Sequence, residues 1–146
     1  MIIYGNYRIN AGAFRPFVTG YVHSFLGRWI KFSFLVDSGA DETFLHSRSI
    51  DILEIDISSV EVKRDVGGVG GAAVPYFQWE TQLKLYSPDG MERLFGGGIN
   101  IFLDPHATRV PLLGRDVLDR FVTILDKSKN RVILLDKPDT YQLIKE

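Results

Sequence analysis

One short stretch of this sequence places a carboxylate where it could do chemistry. The apolar residues 34–36 have the character of a buried strand, and Asp37, Ser38 and Gly39 follow directly. A carboxylate held in such a tight turn can act as a general acid or base. It can also simply form the turn, by accepting hydrogen bonds from its own backbone. Asp37 is therefore a candidate catalytic group, and a turn-forming role is its alternative.

Other chemistries have weaker support. Residues 67–71 hold four glycines around one valine, but no helix start and no Lys-Ser or Lys-Thr pair follows them, as a phosphate-binding loop requires. They predict either a plain hairpin turn or a flap that covers a substrate. Ser38 is not part of a Gly-x-Ser-x-Gly elbow, which argues against a serine hydrolase. The three histidines lack the spacing of metal ligands, so we expect no metal; they are His23, His46 and His106.

Length and composition indicate a single domain spanning residues 1–146, with 45% hydrophobic residues. The formal net charge of −1 gives no basic surface for nucleic acid or an anionic membrane, so neither partner is expected. Cysteine is absent, which excludes disulfides and a cysteine nucleophile. The first residues lack a basic segment followed by an apolar run, and no apolar run approaches membrane-spanning length, so we expect a soluble, cytoplasmic protein.

The apolar pattern predicts many short strands. Residues 29–36 and 78–86 alternate with the period of a strand, and residues 87–90 form a strong turn signal. Residues 114–121 have helical spacing, and residues 122–136 predict a further hairpin. The first ten residues show little periodicity. Three glycines separate the strands that we expect at 91–95 and 99–103. Residues 49–59 fit a short helix or an irregular strand. The pattern favours a mostly β barrel or folded-over sheet with about one helix.

Three motifs, taken together, give a resemblance to a known family. Residues 34–41, 66–71 and 112–118 are similar, in order and approximate spacing, to motifs of the retropepsins, the retroviral-type aspartic proteases. Residues 15–19 also resemble the amino-terminal strand of the viral enzymes. The resemblance covers about residues 14–126 and implies a closed, barrel-like acid-protease fold with one lobe per chain and one short carboxyl-terminal helix. The additional hairpin is more similar to cellular or prokaryotic members, and the role of residues 1–13 is left open.

The resemblance implies an aspartic endopeptidase that works as a homodimer on a peptide or protein substrate, without a cofactor. The chemistry supports a dimer independently, because aspartic proteolysis uses two carboxylates around one water and the sequence contains a single Asp-Ser-Gly. No internal repeat supplies a second lobe. Asp37 would be the catalytic residue of each chain, paired with its symmetry mate.

Supporting roles follow from the same resemblance. Ser38 would brace the two turns by hydrogen bonding backbone across the interface, and Gly39 would admit the substrate closely. Ala40 has no hydroxyl to stabilise an ionised Asp37, which predicts a less acidic pH optimum than in relatives with serine there.

The resemblance also implies roles for charged and flap residues. Asp41 would bind substrate backbone and pair with Arg115, while Arg15 would reach Asp41 from the other subunit; plain surface charge is the alternative for all three. The flap would close over the peptide through Gly67, Gly68, Val69 and Gly70.

Two other functions remain open from the sequence. The chain could be a peptide-binding module that keeps the groove but lacks turnover, or a structural dimerisation domain without a groove ligand. Peptide binding without cleavage would identify the first, and the absence of both would identify the second.

Overall fold

The computed structural model of the chain describes residues 1–66 and 73–137, together with Ile144. The described residues form ten strands, two one-turn α-helices and a 3-10 turn at Ile57–Ser59. The helices are α1 (Ser49–Ile52) and α2 (Arg115–Leu118). The strands are β1 (Ile2–Asn10), β2 (Ala13–His23), β3 (Trp29–Val36), β4 (Phe44–Leu45), β5 (Lys63–Val66), β6 (Ala73–Tyr86), β7 (Glu92–Phe102), β8 (Leu112–Leu113), β9 (Phe121–Asp126) and β10 (Arg131–Asp136).

All ten strands belong to one sheet that closes on itself. The strand order is β5-β6-β7-β4-β8-β3-β2-β1-β10-β9, and β6 also pairs with β2. Strands β2, β3, β8, β4, β7 and β6 therefore form a continuous ring, with parallel pairs at β3–β8 and β4–β7. Closure removes sheet edges that would otherwise be free. The prediction of a mostly β, barrel-like, single-lobe fold is confirmed.

The core follows from the alternation seen in the sequence. In β3, Phe32, Phe34 and Val36 are buried, while Ser33 and Leu35 between them are only partly covered. They pack with side chains from the strands around the ring, including Leu85 and Ile101, both fully buried. Burial of such side chains contributes about 1.5–3 kcal/mol each. The core thus fixes the strand that ends at Asp37.

One local prediction was wrong, and one stretch without a clear pattern proved to be regular. The first ten residues, which show little periodicity in the sequence, form β1, which pairs with β2 and with β10. The glycines at 96–98, expected to separate two strands, lie inside the continuous β7, because β6 pairs with it from Tyr76↔Phe102 to Tyr86↔Glu92. In both places strand pairing overrides a weak local pattern. Residues 49–59, left between helix and strand, contain α1 and the 3-10 turn, so α2 is not the sole helix.

The carboxyl-terminal strands complete the sheet beside β1. β9 pairs with β10 along its whole length, and β10 pairs with the first residues of β1, from Ile2↔Leu135 to Gly5↔Val132. Arg93 of β7 reaches Asp136 at the end of β10, with Nη1 2.6 Å from Oδ1. Within the described ranges, no helix has the length and apolar character needed to cross a membrane.

Candidate active site

Asp37 lies where β3 ends and a tight turn begins. β3 runs parallel to β8, with Leu35 opposite Leu112 and Val36 opposite Leu113, and the backbone N–H of Asp37 donates to Leu113 O at 3.0 Å. The turn closes when Ala40 N–H donates to Asp37 O at 3.2 Å. Asp37 is partly buried, and its carboxylate accepts an exposed hydrogen bond from Gly39 N–H, 3.0 Å from Oδ1. Asp37 is therefore fixed in both its backbone and its side chain.

There is little room for a side chain at Gly39, because the Asp37 carboxylate lies close to it. A Cβ built at this position would lie 3.3 Å from Asp37 Oδ1. That is a tight contact, and a side chain would crowd the oxygen that accepts the Gly39 N–H. Glycine leaves this side of the carboxylate open to a reacting group.

A second segment, the Gly114 turn (residues 113–116), holds the loop that follows Asp37. We call residues 37–43 the Asp37 loop. Arg115 N–H donates to Ala40 O at 2.8 Å, and Asp116 N–H donates to Asp41 O at 3.1 Å. The two backbones come so close that a Cβ at Gly114 would lie 2.3 Å from Glu42 O, which a real side chain cannot do. Gly114 is thus required by the contact between the two segments.

Thr43 and Asp116 form the polar centre of this contact. Thr43 is 3% exposed; its hydroxyl donates to Asp116 Oδ1 at 2.7 Å and accepts from Gly114 N–H at 3.1 Å. Its backbone N–H donates to Asp116 Oδ2 at 3.0 Å. Neither residue was assigned a role from the sequence. The available signal was a threonine directly before the apolar pair Phe44-Leu45, where a buried hydroxyl needs a partner.

Sequence comparisons and structural comparisons give different results. No protein-family model matches the sequence, and no curated protein is significantly similar to it. A retropepsin-like aspartic protease from Rickettsia conorii matches in structure with a TM-score of 0.61 and 21% identity, over 92% of this chain and 88% of that one. EIAV protease, in a complex with the inhibitor HBY-793, matches with a TM-score of 0.51 and 23% identity, over 77% of this chain and 91% of that one. The chain has a retropepsin-like fold.

Within this retropepsin-like fold, the predicted ion pair lies beside the Asp37 loop. Arg115 Nη1 is 3.5 Å from Asp41 Oδ1, and Arg115 Nε is 3.9 Å from Asp119 Oδ2. The Asp41 side chain is 86% exposed and that of Arg115 is 54% exposed, so the pair is open to solvent and to a ligand. Its contribution to stability is small at such exposure.

Ser38 and Arg15 have no partners of the predicted kind within this chain. Among the described residues, the exposed Ser38 hydroxyl makes no hydrogen bond, and Arg15 makes no ion pair, to Asp41 or to any other acid. Arg15 lies on β2 directly opposite Arg8 of β1. Ser38 and Arg15 are both exposed on the surface of the retropepsin-like fold.

The predicted flap residues, Gly67, Gly68, Val69 and Gly70, lie outside the described residues. The strands on either side are described: β5 pairs with β6 from Lys63↔Tyr76 to Val66↔Ala73. A hairpin therefore leads into and out of this segment.

His46 is buried close to the end of β4, away from any group of metal-binding side chains. Its Nδ1 lies 2.7 Å from Ser49 Oγ, and burial lowers the pKa of His46. In the part of the chain that the structure describes, no three His, Asp or Glu side chains come together as metal ligands would. His46 has the environment of a core residue.

Proposed function

We propose that this protein is an aspartic endopeptidase that acts as a homodimer, with Asp37 of each chain forming the catalytic pair. The observation that carries the proposal is the fixed position of Asp37. Its backbone is bonded to β8, and Gly39 N–H orients its carboxylate at the end of a core strand in a retropepsin-like fold. In addition, the hydrogen bonds from Thr43 to Asp116 hold the Asp37 loop against the Gly114 turn. An aspartate that only formed a turn would not require this second segment.

A second copy is required because the chain provides one such carboxylate. Asp-Ser-Gly occurs once in the 146 residues. A twofold axis beside the Asp37 loop brings the second chain's Asp37 next to the first, and both carboxylates share one water. The exposed Ser38 hydroxyl then has the second chain's backbone as its partner, in keeping with its lack of a described partner in its own chain.

The paired carboxylates supply the acid and the base. Two carboxylates this close do not both ionise readily, so the pair holds one proton over a wide pH range. The ionised carboxylate takes a proton from the water, and the water oxygen attacks the peptide carbonyl carbon. The protonated carboxylate gives its proton to the carbonyl oxygen, which yields a gem-diol. As the gem-diol collapses, the newly protonated carboxylate gives its proton to the leaving nitrogen, the C–N bond breaks, and the newly ionised carboxylate takes a proton from one gem-diol hydroxyl, which restores the singly protonated pair.

The surrounding residues position an extended peptide. Gly39 leaves room beside the carboxylate, Asp41 accepts from substrate backbone while Arg115 holds it in place, and Arg15 reaches Asp41 of the other chain. The flap residues, Gly67, Gly68, Val69 and Gly70, cover the peptide and exclude water. Such a peptide lies against strand-like backbone on both sides.

The test is cleavage of a diverse peptide pool between about pH 4 and pH 7 by the wild type and by Asp37→Asn. We expect the substitution to lower the cleavage rate by about a thousandfold, the usual scale for loss of an acid–base group. Asp51→Asn is the matched control, because Asp51 is an exposed carboxylate on α1. Its rate should not change.

The outcomes separate the three functions considered. Cleavage that survives Asp37→Asn contradicts the proposal. Peptide binding without turnover at any pH identifies a binding module, and neither binding nor cleavage identifies a structural dimerisation domain.

A further inference from the structure

The β1–β2 hairpin extends past the strands that flank it. β1 and β2 pair from Asn6↔Phe17 to the turn at Asn10↔Ala13. β3, however, pairs with β2 only from Phe17 onward, and β10 pairs with β1 only as far as Gly5. Residues 8–15, which we call the hairpin tip, thus have no further strand on either side within the described residues.

The hairpin tip lies at the same end of the molecule as Asp37. Phe17 is opposite Leu35, so Arg15, two residues before Phe17, is level with Asp37, two residues after Leu35. With about 3.3 Å per strand residue, the turn at the end of the tip lies roughly 7–10 Å beyond that level. The turn is tight: Ala11 and Gly12 both have positive φ, 51° and 78°, as a two-residue hairpin turn requires.

The two faces of the hairpin tip differ in character. Ile9 and Phe14 are directly opposite each other and share one face, and they are 71% and 56% exposed. Arg8 and Arg15 share the other face, with the Arg8 guanidinium 4.7 Å from the centre of the Phe17 ring. The apolar face is therefore uncovered in the single chain.

The backbone of the hairpin tip is also free at its edges. In an antiparallel ladder, pairs that bond to each other alternate with pairs whose N–H and C=O groups point outward. Tyr7 N–H points outward, because it donates to Asn130 Oδ1 at 2.7 Å. The pair Ile9↔Phe14 lies two residues further along the ladder than Tyr7↔Pro16, so its N–H and C=O groups point outward as well. They are available to bond another chain.

We infer that the hairpin tip is a dimerisation arm, which packs Ile9 and Phe14 against a second copy of this chain. An uncovered two-stranded hairpin is marginally stable and its free edges favour association, so a natural protein is expected to cover it. The second copy fits because it must lie at this end if Asp37 is to be paired; in this respect the inference rests on the proposed function. Charge agrees as well: the exposed Asp41 and Glu42 of a second copy complement the arginine face of the hairpin tip.

The test measures dimer dissociation of the Asp37→Asn chain by sedimentation equilibrium, so that it does not depend on activity. We expect Ile9→Ser with Phe14→Ser to raise the dimer Kd about thirtyfold or more, the scale of losing a central apolar contact. The matched control is Phe25→Ser with Leu26→Ser. These residues are 68% and 65% exposed, at the opposite end of β3 from Asp37. The control should leave the Kd unchanged.

A second measurement does not depend on weakening the protein. The chain has no cysteine, so Phe14→Cys and Phe25→Cys each introduce a single thiol. At a chain concentration above the dimer Kd, the Phe14→Cys thiol should react with a maleimide several-fold more slowly than the Phe25→Cys thiol, because the second copy covers residue 14 and leaves residue 25 exposed. Equal rates, a parent chain that stays monomeric, or an unchanged Kd in the Ile9 and Phe14 variant would each overturn the inference.

Discussion

The Asp37 loop and the hairpin tip lie at the same end of the molecule and are built in opposite ways. The Asp37 loop is bonded to the Gly114 turn by backbone and side-chain hydrogen bonds, with Thr43 buried at the centre. The hairpin tip is held mainly by the pairing of β1 with β2, and it exposes Ile9 and Phe14. The chain therefore satisfies the buried polar groups of Thr43 internally, and it leaves apolar surface uncovered at the same end of the molecule.

The difference indicates which part of the proposed active site each chain completes alone. The position of a reacting group must be held closely, and a loop fixed by buried hydrogen bonds does this. The second carboxylate comes from another copy, and that requires a surface able to associate. Substitutions in the first region should thus change stability of the single chain, whereas substitutions in the second should change dimer affinity.

The largest effect on the Asp37 loop is expected from Gly114→Ala. The added Cβ would lie 2.3 Å from Glu42 O, so the two segments must separate. We expect a loss of about 3 kcal/mol in the free energy of unfolding, at the upper end for overpacking, together with loss of peptide cleavage. Urea denaturation at fixed protein concentration measures the first quantity.

Gly96→Ala is the control for that prediction. A Cβ at Gly96 meets no atom within 4 Å, and the residue lies inside β7. Its free energy of unfolding should stay within about 0.5 kcal/mol of the wild type. A similar loss in both variants would mean that the contact at Gly114 does not hold the loop.

Asp116→Ala should have the next largest effect. It leaves the backbone N–H and the hydroxyl of buried Thr43 without their acceptor, which we expect to cost about 2 kcal/mol. Asp119→Ala is the matched control, because the Asp119 side chain is 70% exposed and its nearest contact to Arg115 is 3.9 Å. Equal denaturation midpoints for the two variants would contradict this assignment.

A smaller, pH-dependent effect is expected from His46, which lies just beyond the Asp37 loop. Burial lowers the pKa of His46 in the folded chain below its value in the unfolded chain. Below about pH 6.5 the unfolded chain therefore binds more protons than the folded chain. The free energy of unfolding decreases as the pH falls through that value, and above it His46 does not lower the free energy of unfolding in this way.

His46→Gln should reduce this pH dependence. Denaturation at about pH 7.5 and about pH 5.5 should show a smaller difference for the variant than for the wild type. His106→Gln, at an exposed position, should keep the wild-type difference. An unchanged difference in the His46 variant would show that this histidine is not the group responsible.

The smallest effect on stability is expected from Asp41→Asn. The pair with Arg115 is solvent-exposed, so its loss should change the free energy of unfolding by less than about 0.5 kcal/mol. If Asp41 binds substrate backbone as proposed, KM should rise while kcat changes little. Asp119→Asn should alter neither, and a fall in kcat without a change in KM would count against this role for Asp41.

The sequence predicted those elements in which side-chain alternation agrees with the final pairing. Residues 29–36 alternate cleanly and form β3, and residues 114–121 contain α2. The glycines of β7 were predicted wrongly and β1 was left unassigned; in both places regular structure comes from pairing with other strands, β6 for β7, and β2 and β10 for β1. A local pattern does not contain that information, because a strand can be stabilised by its neighbours despite poor intrinsic preference.

For the candidate site, the sequence located the carboxylate and left its surroundings unassigned. An apolar run followed by Asp37, Ser38 and Gly39 pointed to one place in the chain. The bonds between Thr43 and Asp116 join residues 73 positions apart, so no short motif revealed them.

The sequence by itself therefore determined the composition of the core, the single carboxylate and the strand that carries it, since these depend on neighbouring residues and their period. The tertiary structure alone decided which distant segment locks the Asp37 loop and which hairpin extends beyond it uncovered. Both depend on strand pairing between remote parts of the chain, where steric fit and register, rather than local preference, set the outcome.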